Sequence, residues 1–172
     1  YKTFMKKKDP EAANIVMGHN EEDLLGLGTI FSLLAYKKLY DGEYHPKQCV
    51  ILEQELKIVI ELSAAAPVNV SCGNSDFYLS VNGCEARMLV HLKEGKLRQY
   101  YRNYKDYEFI PGEDTAMPKS ITRYMDKSLK IATTPQTCYT WFNCDEDFLN
   151  NEKKQMQYLT HTLPFFLDNL NK

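Results

Sequence analysis

The spacing of apolar positions changes period near residue 45. Upstream of it the spacing is helical. Leu24, Leu27, Phe31 and Leu34 fall on one line, with Leu25, Leu33 and Tyr36 beside them. Together they cover well over half of a helix circumference, which predicts a buried helix rather than a surface stripe. Asp9-Pro10-Glu11 reads as a helix start, with Asp as N-cap, Pro at the first helical position and Glu in the first turn. A short helix is expected to about Met17, closed by Gly18. A second is expected from an Asn20 cap to about Tyr40, with Asp23 standing where a capping box places Glu. The lysine-rich residues 1–8 read as the end of an earlier helix. Gly26 and Gly28 each cost about 1 kcal/mol relative to Ala inside a helix, which predicts a close-packed neighbour. Residues 44–48 read as a connector, dividing helical residues 1–44 from a second domain at 45–172.

From Cys49 the period is two. Val50, Leu52, Leu56, Ile58, Ile60 and Leu62 share one face and Glu53, Glu55, Lys57 and Glu61 the other, which predicts one long amphipathic strand. Residues 63–75, with Pro67, Gly73 and Asn74, read as a loop. Phe77, Leu79 and Val81 alternate with polar residues. Asn82-Gly83 is a two-residue hairpin signal, and Cys84, Ala86, Met88, Val90 and Leu92 form the next one-sided face. Glu94-Gly95 turns the chain into a strand at 97–101. A short strand is expected near 107–110, a helix over 117–127 and a strand within 129–142. A last helix starts at Asp145 with the line Phe148, Met156, Leu159, Leu163, Phe166 and Leu170, kinked or divided at Pro164. The expected class is α+β: N-terminal helices packed with a mainly antiparallel sheet of about four to six strands and a long C-terminal helix.

Composition narrows the function classes. The chain has 172 residues, 44% hydrophobic and 26% charged, with a formal net charge of −2. That balance argues against a protein that coats nucleic acid non-specifically, while leaving room for a local basic patch. Five cysteines without a CxxC pair suggest neither a secreted disulfide framework nor a structural zinc site. Cys49, Cys84 and Cys138 lie in strand-like runs and are expected as buried free thiols. No apolar run approaches membrane-spanning length and no signal peptide is visible, so the chain reads as cytoplasmic. It starts at Tyr1 in a helix-like run and reads as a fragment of a longer protein.

Candidate chemistry begins at His19-Asn20-Glu21-Glu22-Asp23. An imidazole four residues before a carboxylate shares its helical face. The carboxylate suits a hard cation such as Mg²⁺, and the imidazole can orient or deprotonate a water. A polar pair capping a helix explains the same spacing. Lys93, Lys96, Arg98, Arg102 and Lys105 interleave with Tyr100, Tyr101, Tyr104 and Tyr107. Lys96, Arg98, Tyr101, Arg102 and Lys105 are the candidates there for contact with single-stranded nucleic acid, through phosphates and base stacking. The competing reading is a solvated strand edge with packed tyrosines. Glu53-x-Glu55 supplies the polar face of a strand, and Glu113-Asp114 reads as a helix cap. His45, His91 and His161 are scattered.

The run from Asp9-Pro10-Glu11 through Val16-Met17-Gly18-His19-Asn20-Glu21-Glu22-Asp23-Leu24-Leu25-Gly26-Leu27 to Leu33-Leu34-Ala35-Tyr36 resembles the C-terminal end of YprB-type RNase H-like domains. These belong to the DEDD 3′–5′ exonuclease superfamily. The resemblance covers about 40 residues. It implies His19 as the general base and Asp23 as a metal-binding carboxylate, with Mg²⁺ or Mn²⁺ as cofactor of the full-length parent. It also implies that the first catalytic motifs, an Asp-x-Glu and a further Asp, precede His19. This chain alone is therefore expected to be inactive and to bind no metal tightly. Tyr104-Lys105-Asp106-Tyr107, Pro111-Gly112-Glu113-Asp114, Lys119-Ser120 and Cys138-Tyr139 resemble a C-terminal region that follows such domains in Clostridia-type bacterial proteins. Relatives there carry His where this chain has Pro118. The partners implied are the missing part of the nuclease domain and single-stranded nucleic acid. Self-association through the exposed apolar surface of the 24–40 helix is a further expected contact, and a non-enzymatic protein-interaction or structural domain stands as the alternative.

Overall fold

The computed structural model describes residues 10–170, so the helix end expected over residues 1–8 and the Asp9 N-cap lie outside the described residues. Helix α1, Pro10–Ser32, runs unbroken through Gly18 and Asn20. The expected stop and restart do not occur: the helical hydrogen-bond ladder absorbs the propensity cost of one glycine. The break comes instead at Leu33, after which α2 spans Leu34–Asp41 and closes on Gly42 in the left-handed conformation (φ 87°). α1 is not buried. Leu24 is 69% exposed and Phe31 63%, and Met17, Leu25, Leu27 and Ile30 are exposed as well. A Cβ added at Gly18, Gly26 or Gly28 would meet nothing within 4 Å, so no close neighbour explains these glycines among the described residues. The helix is apolar on most sides, as its spacing predicts, but the described residues leave those sides uncovered.

α2 belongs to the core of the sheet domain. Its Ala35 and Leu39 are buried, Leu39 within the same apolar cluster as the sheet. The expected connector is the start of a strand, β1 (Tyr44–Leu52), which pairs antiparallel with β2 (Glu55–Leu62). The single long strand expected over 49–62 is thus a hairpin, turned at Glu53 with φ 56°. Residues 49–52 are all apolar and fit either phase of alternation, so periodicity alone hid the turn. The register pairs Cys49 with Ile58 and Ile51 with Leu56, and sets Val50 against Lys57 and Leu52 against Glu55. Val50 and Leu52 therefore lie on the face opposite to the one expected.

The main sheet is five-stranded and antiparallel in the order β1-β2-β5-β4-β3, with β3 at Val70–Gly73, β4 at Phe77–Asn82 and β5 at Glu85–His91. β3 falls inside the expected loop. Asn82 pairs with Glu85, so Gly83 (φ 56°) and Cys84 form the turn, one residue later than expected. Cys84 is consequently exposed, contrary to the expectation of a buried thiol, whereas Cys49 and Cys138 are buried. β6 (Lys96–Tyr100) pairs with β10 (Tyr139–Asn143). β7 (Tyr107–Ile110) lies between β8 (Thr115–Pro118) and β9 (Ile131–Ala132). The expected helix over 117–127 shrinks to one turn, α3 (Lys119–Thr122), because β8 takes the residues through Pro118.

At the C-terminus α4 (Glu146–Leu149) and α5 (Glu152–Asp168) replace one continuous helix. The division is made by Asn151, whose side chain caps α5 by accepting from Lys154 N–H, and not by Pro164, which sits buried inside α5. α5 packs along one face of the sheet. Leu56, Ile58 and Ile60 of β2 and Met88 of β5 are fully buried beside Tyr158, Leu159 and Leu163. Phe166 stacks on Phe77 at 4.1 Å between ring centroids, and Phe165 stacks on Tyr100 at 3.8 Å. The architecture is the expected α+β, with an antiparallel sheet, smaller strand pairs and a long C-terminal helix. Among the described residues no helix is long and apolar enough to cross a membrane.

Candidate functional site

Two regions hold the sequence-derived candidates. On α1, His19 and Asp23 are both helical and one turn apart, on the same face of an exposed helix. The His19 side chain is 73% exposed, and its Nδ1 lies 3.7 Å from Glu22 Oε2. Among the described residues no three His, Cys, Asp or Glu side chains converge as a metal site. An imidazole with carboxylates that do not converge on one point of an open turn does not by itself make the two-metal arrangement, which needs several carboxylates around ions about 3.5–4 Å apart. These residues alone support no hydrolytic step.

The second region is built by the turn between β5 and β6. Lys93 and Lys96 face each other across it, joined by paired backbone hydrogen bonds of 3.0 Å in each direction. Glu94 (φ 53°) and Gly95 (φ 74°) both lie in the left-handed region, as a tight two-residue turn of the I′ kind demands. Strand alternation then puts Arg98 on the face of Lys96. Directly across the β6–β10 pair stands Trp141. The Arg98 guanidinium lies between two rings, 4.6 Å from the Tyr139 centroid and 4.7 Å from that of Trp141. Lys93 Nζ is 5.7 Å from the Trp141 ring. These are cation–π distances.

Asp114 fixes the two rings. The Tyr139 hydroxyl donates to Asp114 Oδ1 at 2.5 Å, and Trp141 Nε1 donates to the Asp114 carbonyl at 2.8 Å. Burial, reinforced by that hydrogen bond, pushes the Tyr139 phenol up to about 12, so it stays neutral and keeps donating at physiological pH. The Asp114 carboxylate thus holds the Tyr139 ring and its carbonyl holds Trp141, while the carboxylate charge acts on Arg98 from beyond ion-pair distance. Among the described residues no carboxylate lies within 4.0 Å of the Lys93, Lys96 or Arg98 nitrogens. Arg98 Nε is buried without a hydrogen-bond partner. The three cations line a cavity of about 360 Å³ whose other walls include Trp141, Phe166 and Asp76.

The remaining candidates go elsewhere. Tyr101 points to the other face of β6. It accepts from Gln99 Nε2 at 2.9 Å, lies 3.0 Å from Thr140 Oγ1, and stacks on Tyr107 at 5.1 Å. Arg102 is tied to α2 and α5: it donates to the Tyr40 hydroxyl and, at 3.3 Å, to Asp168 Oδ2. Lys105 is exposed on the short turn before β7. The structure therefore joins Lys96 and Arg98 with Lys93 and separates them from Tyr101, Arg102 and Lys105. Sequence reading passed over Trp141 and Asp114 as members of this site. The only signal for Trp141 was its being the sole tryptophan; the β6–β10 pairing that delivers it is long-range. Comparison with protein-family models, with curated proteins and with solved structures finds no match to this chain.

Proposed function

We propose that this chain is the C-terminal part of an RNase H-like 3′–5′ exonuclease, inactive by itself, whose sheet domain holds single-stranded nucleic acid. The observation that carries the binding role is the set of three cations, Lys93, Lys96 and Arg98, gathered around Trp141 with no carboxylate at ion-pair distance among the described residues. Phosphates supply the missing negative charge, and aromatic edges and guanidinium planes supply sequence-tolerant contacts. The catalytic part of the reading is supported by α1, which presents His19 and Asp23 on one turn and exposes apolar side chains around its circumference. Such a helix fits the inside of a larger domain, where its polar turn forms one wall of a site. Mg²⁺ or Mn²⁺ would be held jointly by Asp23 and carboxylates supplied from outside this chain.

The test uses the chain and its parent side by side. A labelled single strand at low salt is expected to bind the chain and to be released by Lys93→Glu with Lys96→Glu. Cleavage in Mn²⁺ is expected from the parent only, and is lost there on Asp23→Ala. Robust cleavage by the chain alone, or failure to bind any strand at low salt, contradicts the reading. A second reading, a non-enzymatic protein-interaction domain, is favoured by the same exposed face of α1. It predicts no strand binding and a protein partner seated on Leu24, Leu27 and Phe31.

A further inference from the structure

The cavity at Arg98 says more than that phosphates bind near it. Lys93 and Lys96 are an opposed pair of like charges, which repel across a strand pair. An anion between the two ammonium groups relieves that repulsion. Below them Arg98 is held flat by Tyr139 and Trp141, with a planar fork suited to two oxygens of one phosphate. An internal phosphodiester carries one negative charge; a terminal phosphate monoester carries about −1.5 to −2 at neutral pH. Three cations against the one carboxylate of Asp76 leave a charge of about +2 in the lining, which matches the second better. The volume of about 360 Å³ is near the lower end of small-ligand pockets. It accommodates one planar ring and a phosphate, with Phe166 as an apolar wall and Asp76 in the lining as a hydrogen-bond acceptor.

We propose that this cavity takes a nucleotide bearing a terminal phosphate monoester, as the phosphorylated end of a single strand or as a free mononucleotide. The strand form rests on the nucleic-acid reading above; the mononucleotide form stands without it. Trp141 is the only tryptophan and lines the cavity, so its fluorescence reports occupancy directly.

The experiment titrates the chain with four probes: a short single strand with a 5′-phosphate, the same strand with a 5′-hydroxyl, adenosine monophosphate and adenosine. The phosphorylated strand is expected to change Trp141 fluorescence at roughly tenfold lower concentration than its hydroxyl counterpart, as charge-assisted hydrogen bonds to one added phosphate allow. Adenosine monophosphate is expected to exceed adenosine similarly. Lys93→Ala with Lys96→Ala, both exposed positions, should abolish these preferences without lowering the melting temperature. Arg98→Met is the second variant, read only if it melts like the parent chain. Equal affinity for the two strands overturns the terminal-phosphate proposal while leaving strand binding intact. A response to adenosine monophosphate with none to either strand supports the cavity and overturns the nucleic-acid reading. A phosphate preference that survives the double lysine variant overturns the proposal by placing the phosphate elsewhere, and silence with all four probes overturns both.

Discussion

Arg98 shows how a residue acquires meaning from its neighbours. In the sequence it is one of five basic residues among tyrosines; in the structure its guanidinium is fixed by two rings, with no carboxylate at ion-pair distance among the described residues. Glu108 is the opposite case. Thr122 Oγ1 donates to its carboxylate, and Lys130 Nζ lies 2.9 Å away. Thr122, and after it Lys130, hold the Glu108 carboxyl below its usual 4.5. A carboxylate held lower in the folded state than in the unfolded one stabilises the fold above the unfolded value. That contribution is lost as pH falls through the folded value. Melting temperature should therefore drop as pH falls below 4.5, and Glu108→Gln should melt lower at neutral pH with a flatter acid limb. An acid limb identical in the two proteins would show that this trio does not stabilise the fold.

At the scale of elements, turns decided what could be read. Asn82-Gly83 and Glu94-Gly95 announce themselves by their glycines, and both hairpins are present. The turn between β1 and β2 carries Glu53-Gln54 with no glycine, and Glu53 takes φ 56° regardless. Relieving a left-handed non-glycine residue gains about 1–2 kcal/mol, and the extra chain entropy of glycine offsets up to about 1 kcal/mol of that. Glu53→Gly is therefore expected to raise the denaturation midpoint slightly, and a clear loss of stability would contradict the turn. The same limits account for the rest. α+β class, the alternation of β4 and β5 and the apolar line of α5 were legible, since each is local periodicity. The 117–127 helix was misread because nothing local says that Thr115–Pro118 pairs with β7. The candidate site was half legible. Lys96 and Arg98 follow from alternation, but Trp141 reaches them by pairing across forty-odd residues of chain.

For the molecule as a whole, α1 is the unfinished surface. A helix apolar on most sides is stable in water only when something covers it. Alone in solution the chain is expected to self-associate with rising concentration in sedimentation velocity. Leu24→Glu with Phe31→Glu should suppress this without lowering the melting temperature, because both side chains are exposed. A monomer at every concentration would mean that α1 tolerates solvent. The sheet domain carries the more direct test, a salt titration of single-strand binding. Each neutralised phosphate on a single strand contributes a slope of about −0.7 in log affinity against log salt. Lys93, Lys96 and Arg98, each meeting one internal phosphate of a 5′-hydroxyl strand, predict a slope near −2, falling to about −0.7 in Lys93→Ala with Lys96→Ala. A slope near zero, or one that the two substitutions leave unchanged, would contradict the account.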